Sequence, residues 1–119
     1  MKAKVLTLIC IVLFWSCTTA SEDDLIDTTP LEDIITYVDD VKSIMDNNCI
    51  FCHSEPPENG APMPLLSYEQ VKEAVENRDL IERISTEDLA FVMPFGGPRL
   101  PQNLIDIVIK WQTDGLLED

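Results

Sequence analysis

The chain has 119 residues, enough for one domain, and 22 acidic against eight basic side chains give it a formal net charge of −14. A surface this acidic repels phosphate backbones, which excludes nucleic acid as a natural partner. The same charge keeps the protein soluble and steers it toward basic partner surfaces at low salt.

The first stretch, "MKAKVLTLICIVLFWSC", opens with Lys2 and Lys4, runs apolar from Val5 to Trp15, and reaches Ser16 and Cys17. A charged start before about eleven apolar residues predicts an export signal over residues 1–16, too short for a membrane span of about 20 residues. A small residue followed by cysteine resembles the lipobox of bacterial lipoproteins, which implies that Cys17 becomes the lipidated first residue. Phe14 and Trp15 depart from that pattern, and cleavage after "TTA" at Ala20 is the alternative. On either reading the domain matures outside the cytoplasm, as a lipoprotein facing periplasm or cell surface or as a soluble periplasmic protein. Loss of Lys2 and Lys4 makes the mature chain still more acidic.

Residues 17–36 are polar and acidic with little to bury, which predicts a flexible tether. Within them Thr29-Pro30-Leu31-Glu32 fits a capping box, and the β-branched run Ile34-Ile35-Thr36 argues against a long helix there. The folded domain is expected over residues 37–119.

Three helical segments are predicted in that domain. In "DDVKSIMDNNC", Val41, Ile44 and Met45 form one apolar stripe leading into Cys49, with Asp39 and Asp40 suited to the first turn. In "SYEQVKEAVENR", Ser67 and Gln70 form a capping box and Tyr68, Val71 and Val75 the stripe. A break near Asn77 and Asp79 leads into a shorter turn, "LIERI". The last helix starts near Pro101, carries Leu104, Ile105, Val108 and Trp111 on one face, and stops at Gly115. Two proline-rich loops, 55–66 and 93–101, lie between, and "LAFVM" is the sole candidate strand. The fold class is therefore all-α, with about 80 residues in the domain, a size at which an apolar core alone is marginal.

The chemistry concentrates in Cys49-Ile50-Phe51-Cys52-His53, which holds the only histidine. A shuffled chain of this composition places cysteines at −1 and −4 from that histidine roughly once in a thousand. At about 100° per residue the two thiols and the imidazole fall within one arc of a helical turn. Two thiols so spaced reach two vinyl groups of a haem, and the adjacent imidazole meets the iron. This is the attachment signature of c-type haem.

Three rival readings fit less well. A Cys49–Cys52 disulfide closes a very small loop and leaves His53 without a role. Structural zinc wants four ligands, and only the distant Cys17 would complete the set. A thioredoxin-like pair wants a βαβ setting. Covalent haem uses every remaining cysteine: Cys10 leaves with the signal, Cys17 takes the lipid, and Cys49 and Cys52 become thioethers.

Across residues 37 to 115 the chain resembles a short single-haem class I cytochrome c of the exported lipoprotein type. The resemblance rests on "VDDVKSIMDNNCIFCH", "PLLSYEQVK" and "MPFGGPRLPQNLIDIVIKWQTDG". It implies a helical domain around one haem c, with Cys49 and Cys52 as thioether donors and His53 as proximal iron ligand. It also implies that the Met93-Pro94 loop supplies the distal ligand. By reach alone Met63 remains a candidate, since ten extended residues span about 33 Å, whereas Met45 belongs to the core stripe. Ile50 and Phe51 are expected at the haem edge. Gly96 and Gly97 are expected to let the loop turn close to the porphyrin. Arg99 is either a plain surface residue or a partner of the haem propionates. Trp111 is expected to pack in the core against the first helix.

The expected function is one-electron transfer, not enzymatic catalysis, with an extracytoplasmic redox protein as partner and a lipid anchor to the membrane. If no methionine ligates, the alternative is a five-coordinate gas-binding sensor or weak peroxidase; a haem-free surface interaction module is the third reading. The sequence sets no oligomeric state.

Overall fold

The computed structural model describes residues 33–119. The expected signal, the lipid-site Cys17, most of the tether and the Thr29–Glu32 box lie outside them. The described residues are helical and contain no strand, so the all-α class holds. None of their helices is long and apolar enough to cross a membrane.

The domain opens on a π-helical turn, Tyr37–Val41, that continues directly into helix α1, Lys42–Asn48. Thr36 caps the turn: its hydroxyl accepts from the Asp39 N–H at 3.3 Å, and its own N–H donates to Asp40 Oδ2 at 2.9 Å. The wide turn comes from the Val41 N–H reaching back five residues to the Thr36 carbonyl. Val41, Ile44 and Met45 are buried, as the stripe predicts. The helix ends where Asn47 and Asn48 turn their side-chain amides onto the Ser43 and Ile44 carbonyls, at 2.7 and 2.8 Å.

Helix α2, Tyr68–Asn77, starts on the full Ser67–Gln70 capping box and buries Val71, Ala74 and Val75. A left-handed residue, Asp79, breaks it from the short helix α3, Leu80–Ser85. Helix α4, Gln102–Thr113, follows Pro101 and buries Ile105, Val108 and Trp111. It ends in a Schellman arrangement: the Leu116 N–H donates to the Trp111 carbonyl and the Gly115 N–H to the Gln112 carbonyl, with Gly115 at φ 103°.

The two ends of the described chain are clamped together beside Trp111. The Tyr37 and Val38 N–H groups donate to the Leu117 and Glu118 carbonyls, both at 2.9 Å, and the Ile35 N–H donates to Asp114 Oδ2 at 2.8 Å. Ile35 is buried, so the last residues of the segment read as tether belong to the folded unit. Trp111 itself sits among Tyr37 and Tyr68, with ring centroids 5.9 and 6.3 Å away. Its indole N–H donates to the Leu117 carbonyl at 2.7 Å. This aromatic cluster is the core packing expected of Trp111 against the start of the first helix.

"LAFVM" is a turn, not a strand. Asp88 organises it: its side chain accepts from the Ala90 N–H at 2.9 Å and its carbonyl from the Val92 N–H at 2.8 Å. A carboxylate satisfying nearby backbone donors offers the chain an alternative to a strand ladder.

Candidate functional site

Cys49 closes α1, and the chain then makes one further tight turn. The Cys52 and His53 N–H groups both donate to the Cys49 carbonyl, at 3.2 and 3.0 Å. The two thiols and the imidazole thus come from a single turn. Both cysteines are free thiols. Burial pushes the Cys49 thiol up to about 11. The Asn59 amide lies 3.7 Å from the Cys52 sulfur.

The loop that follows is pinned to His53 from both sides. The His53 carbonyl accepts the Leu65 N–H at 2.9 Å, and the ring Nδ1 lies 2.8 Å from the Met63 carbonyl. A carbonyl can only accept, so Nδ1 carries the proton in this bond, and Nε2 is the nitrogen whose lone pair a neutral ring offers to a metal. Metal-bound imidazoles are typically held this way.

Cys49, Cys52 and His53 border a cavity of about 500 Å³. Met63 and Leu65 bound it from the proline-rich loop, Leu80, Arg83 and Ile84 from α3, and Met93, Pro94 and Phe95 from the second loop. The volume lies within the range of cofactor and small-molecule sites. Met93 is half-buried, and its N–H donates to the Arg83 carbonyl at 2.9 Å, which fastens the Met93–Pro94 turn to α3. Met45, at 0 % exposure, is core and does not border the cavity.

Other residues stand elsewhere than expected. Phe51 is 80 % exposed and, like Ile50, does not border the cavity, so neither packs at its edge. On a tight turn whose flanking thiols face inward, the intervening side chains point away. Gly96 and Gly97 take left-handed conformations, at φ 84° and 65°, but form the outer part of the loop and not the cavity wall. Arg99 donates from both terminal nitrogens to Gln102 Oε1, at 3.0 and 2.8 Å, away from the cavity. The arginines that do border it are Arg78 and Arg83. Sequence reasoning missed both, although their place beside the break at Asp79 was a usable signal.

No protein-family model, curated protein or solved structure matches the chain.

The donor set can be tested against the groups it could hold. Among the described residues no three His, Cys, Asp or Glu side chains converge as ligands for a bare ion. Two free thiols and one lone-pair imidazole on one turn, bordering a mostly apolar cavity with a half-buried thioether on its wall, fit a haem attached through two sulfurs.

Proposed function

We propose that this protein is a single-haem electron carrier, exported and tethered to a membrane through a lipid on Cys17, that exchanges electrons with an extracytoplasmic redox protein. One observation carries the reading: the Met63 carbonyl accepts a hydrogen bond from the His53 Nδ1–H, leaving Nε2 for iron on the same turn as two free thiols. Cys49 and Cys52 would hold the group covalently, each S–H adding across a vinyl group so that sulfur and hydrogen both end on carbon and no oxidant is needed. Held by Cys49, Cys52, His53 and a methionine, a haem would supply a one-electron couple, with thioether ligation favouring the ferrous form.

The His53–Met63 bond supports Met93 over Met63 as the distal ligand. The two ring nitrogens point in different directions, so the carbonyl on Nδ1 lies behind the imidazole as seen from a metal on Nε2. The Met63 backbone would then lie on the His53 side of the group. Met93, on a separate loop fastened to α3, is free of that constraint. If His53 and Met93 both held iron, no position would be left for a substrate, which is the ground for preferring electron transfer to the sensor or peroxidase reading.

The test is a pyridine haemochrome spectrum and an intact mass of the natively exported protein. A c-type spectrum and the mass of one attached haem are expected. Two unmodified cysteines would overturn the proposal.

A further inference from the structure

Four cationic side chains of the described residues stand in ion pairs: Lys42 with Asp46, Arg78 with Glu73, Arg99 with Glu87 and Lys110 with Asp114. Lys72 lies over the Tyr68 ring, away from the cavity. Arg83 is the exception. It is half-buried, borders the cavity, and has no carboxylate partner among the described residues, in a chain whose acids far outnumber its bases.

A guanidinium cannot shed its proton, so partial burial must be offset by an aromatic face or an anion. The Phe91 ring, 4.1 Å from the guanidinium carbon, covers one flat face. The in-plane N–H donors are not satisfied by that ring, and their geometry matches a carboxylate. The backbone of Arg83 is fixed by the bond its carbonyl accepts from Met93, so the side chain is anchored beside the Met93 turn.

We propose that the Arg83 guanidinium receives a carboxylate of the group bound in the cavity, which on the haem reading, on which this inference rests, is a propionate. Arg78, exposed and engaged with Glu73, and Arg99, outside the cavity, do not take this role. A propionate held by Arg83 would stay ionised in both oxidation states, so its protonation would leave no mark on the reduction potential over weakly acidic to neutral pH.

The experiment measures the reduction potential of the haem-loaded full-length protein between about pH 5 and pH 8, around and above the ordinary carboxyl range. Arg83→Gln should add a pH-dependent segment absent from the wild type: a potential lowered near pH 8 by the unpaired negative charge, returning toward the wild-type value as the propionate protonates. Arg83→Lys keeps the charge and should retain the wild-type profile, as should Arg99→Gln. A haem-loaded Arg83→Gln protein with the wild-type profile overturns the Arg83 assignment and leaves the haem reading standing; wild-type protein without covalent haem overturns both. Should Arg83→Gln not mature, the hyperfine-shifted haem resonances of ferric wild-type protein decide. At most one propionate should titrate in that range, and two titrations would refute the pairing.

Discussion

The ring of His53 and the backbone carbonyl of Met63 stand 2.8 Å apart, ten residues distant in sequence. The bond fixes which imidazole nitrogen is left for a ligand and on which side of the ring the proline-rich loop lies. Because the partner is a carbonyl, the side chain at position 63 can change without removing the acceptor.

That distinction gives the first prediction. On the proposed haem reading, Met63→Leu should keep the near-infrared sulfur-to-iron band of the ferric protein, since the His53 acceptor is retained and the thioether at 93 is untouched. Met93→Leu should lose the band and open the iron to carbon monoxide in the reduced state. The reverse pattern would move the distal ligand to Met63. Carbon monoxide binding by unaltered protein would instead favour the five-coordinate sensor reading.

What was legible in the sequence was local. The Ser67–Gln70 box, the Val41–Ile44–Met45 stripe and the Gly115 stop each depend on residues within a turn of one another, and each is present. The spacing of Cys49, Cys52 and His53 likewise needed only helical geometry. What was not legible depended on long-range contacts. Ile35 belongs to the domain because its N–H meets Asp114, 79 residues away, which no local pattern announces. Arg99 drew attention through its place beside Gly96 and Gly97, but Gln102 takes its donors, and Arg83 reaches the cavity from an element the sequence marked only as a short turn.

Cys49 carries a second prediction. With its thiol pushed up to about 11 by burial, only about one molecule in a thousand is a thiolate at about pH 8. In folded protein prepared without haem, alkylation at Cys49 should therefore be slow and should accelerate on denaturation, as read by peptide mass mapping. Rapid modification of Cys49 in the folded chain would contradict the burial. On the proposed haem reading, the same burial would put attachment before closure of the domain around that sulfur.

Asp114 ties the two ends of the domain and gives a pH prediction. The Ile35 N–H and then the Lys110 ammonium, 2.7 Å from Oδ2, hold its carboxyl below the ordinary value. A depressed carboxyl contributes stability that is fully present above its unfolded value, about 3.9, and is lost as the pH falls through the lower folded value. Asp114→Asn should lower the unfolding midpoint at about pH 6, and the gap from wild type should narrow at about pH 3. Denaturant titrations at the two pH values measure it, and a gap that widens on acidification would refute the linkage.

Trp111 separates packing from hydrogen bonding. It is fully buried, its ring meets Tyr37 and Tyr68, and its N–H donates to the Leu117 carbonyl. Removing the ring in Trp111→Ala leaves a large void, and a loss of about 3–5 kcal/mol is expected in denaturant unfolding. In Trp111→Phe an aromatic face remains, and the Leu117 carbonyl still accepts from the Tyr37 N–H at 2.9 Å, so that acceptor is not orphaned. The cost should then fall to about 1–2 kcal/mol. Trp111 does not border the cavity, so the haem-loaded Trp111→Phe protein should keep the visible spectrum and reduction potential of wild type. A large shift in potential would mean that Trp111 acts on the proposed haem site and not only on the core.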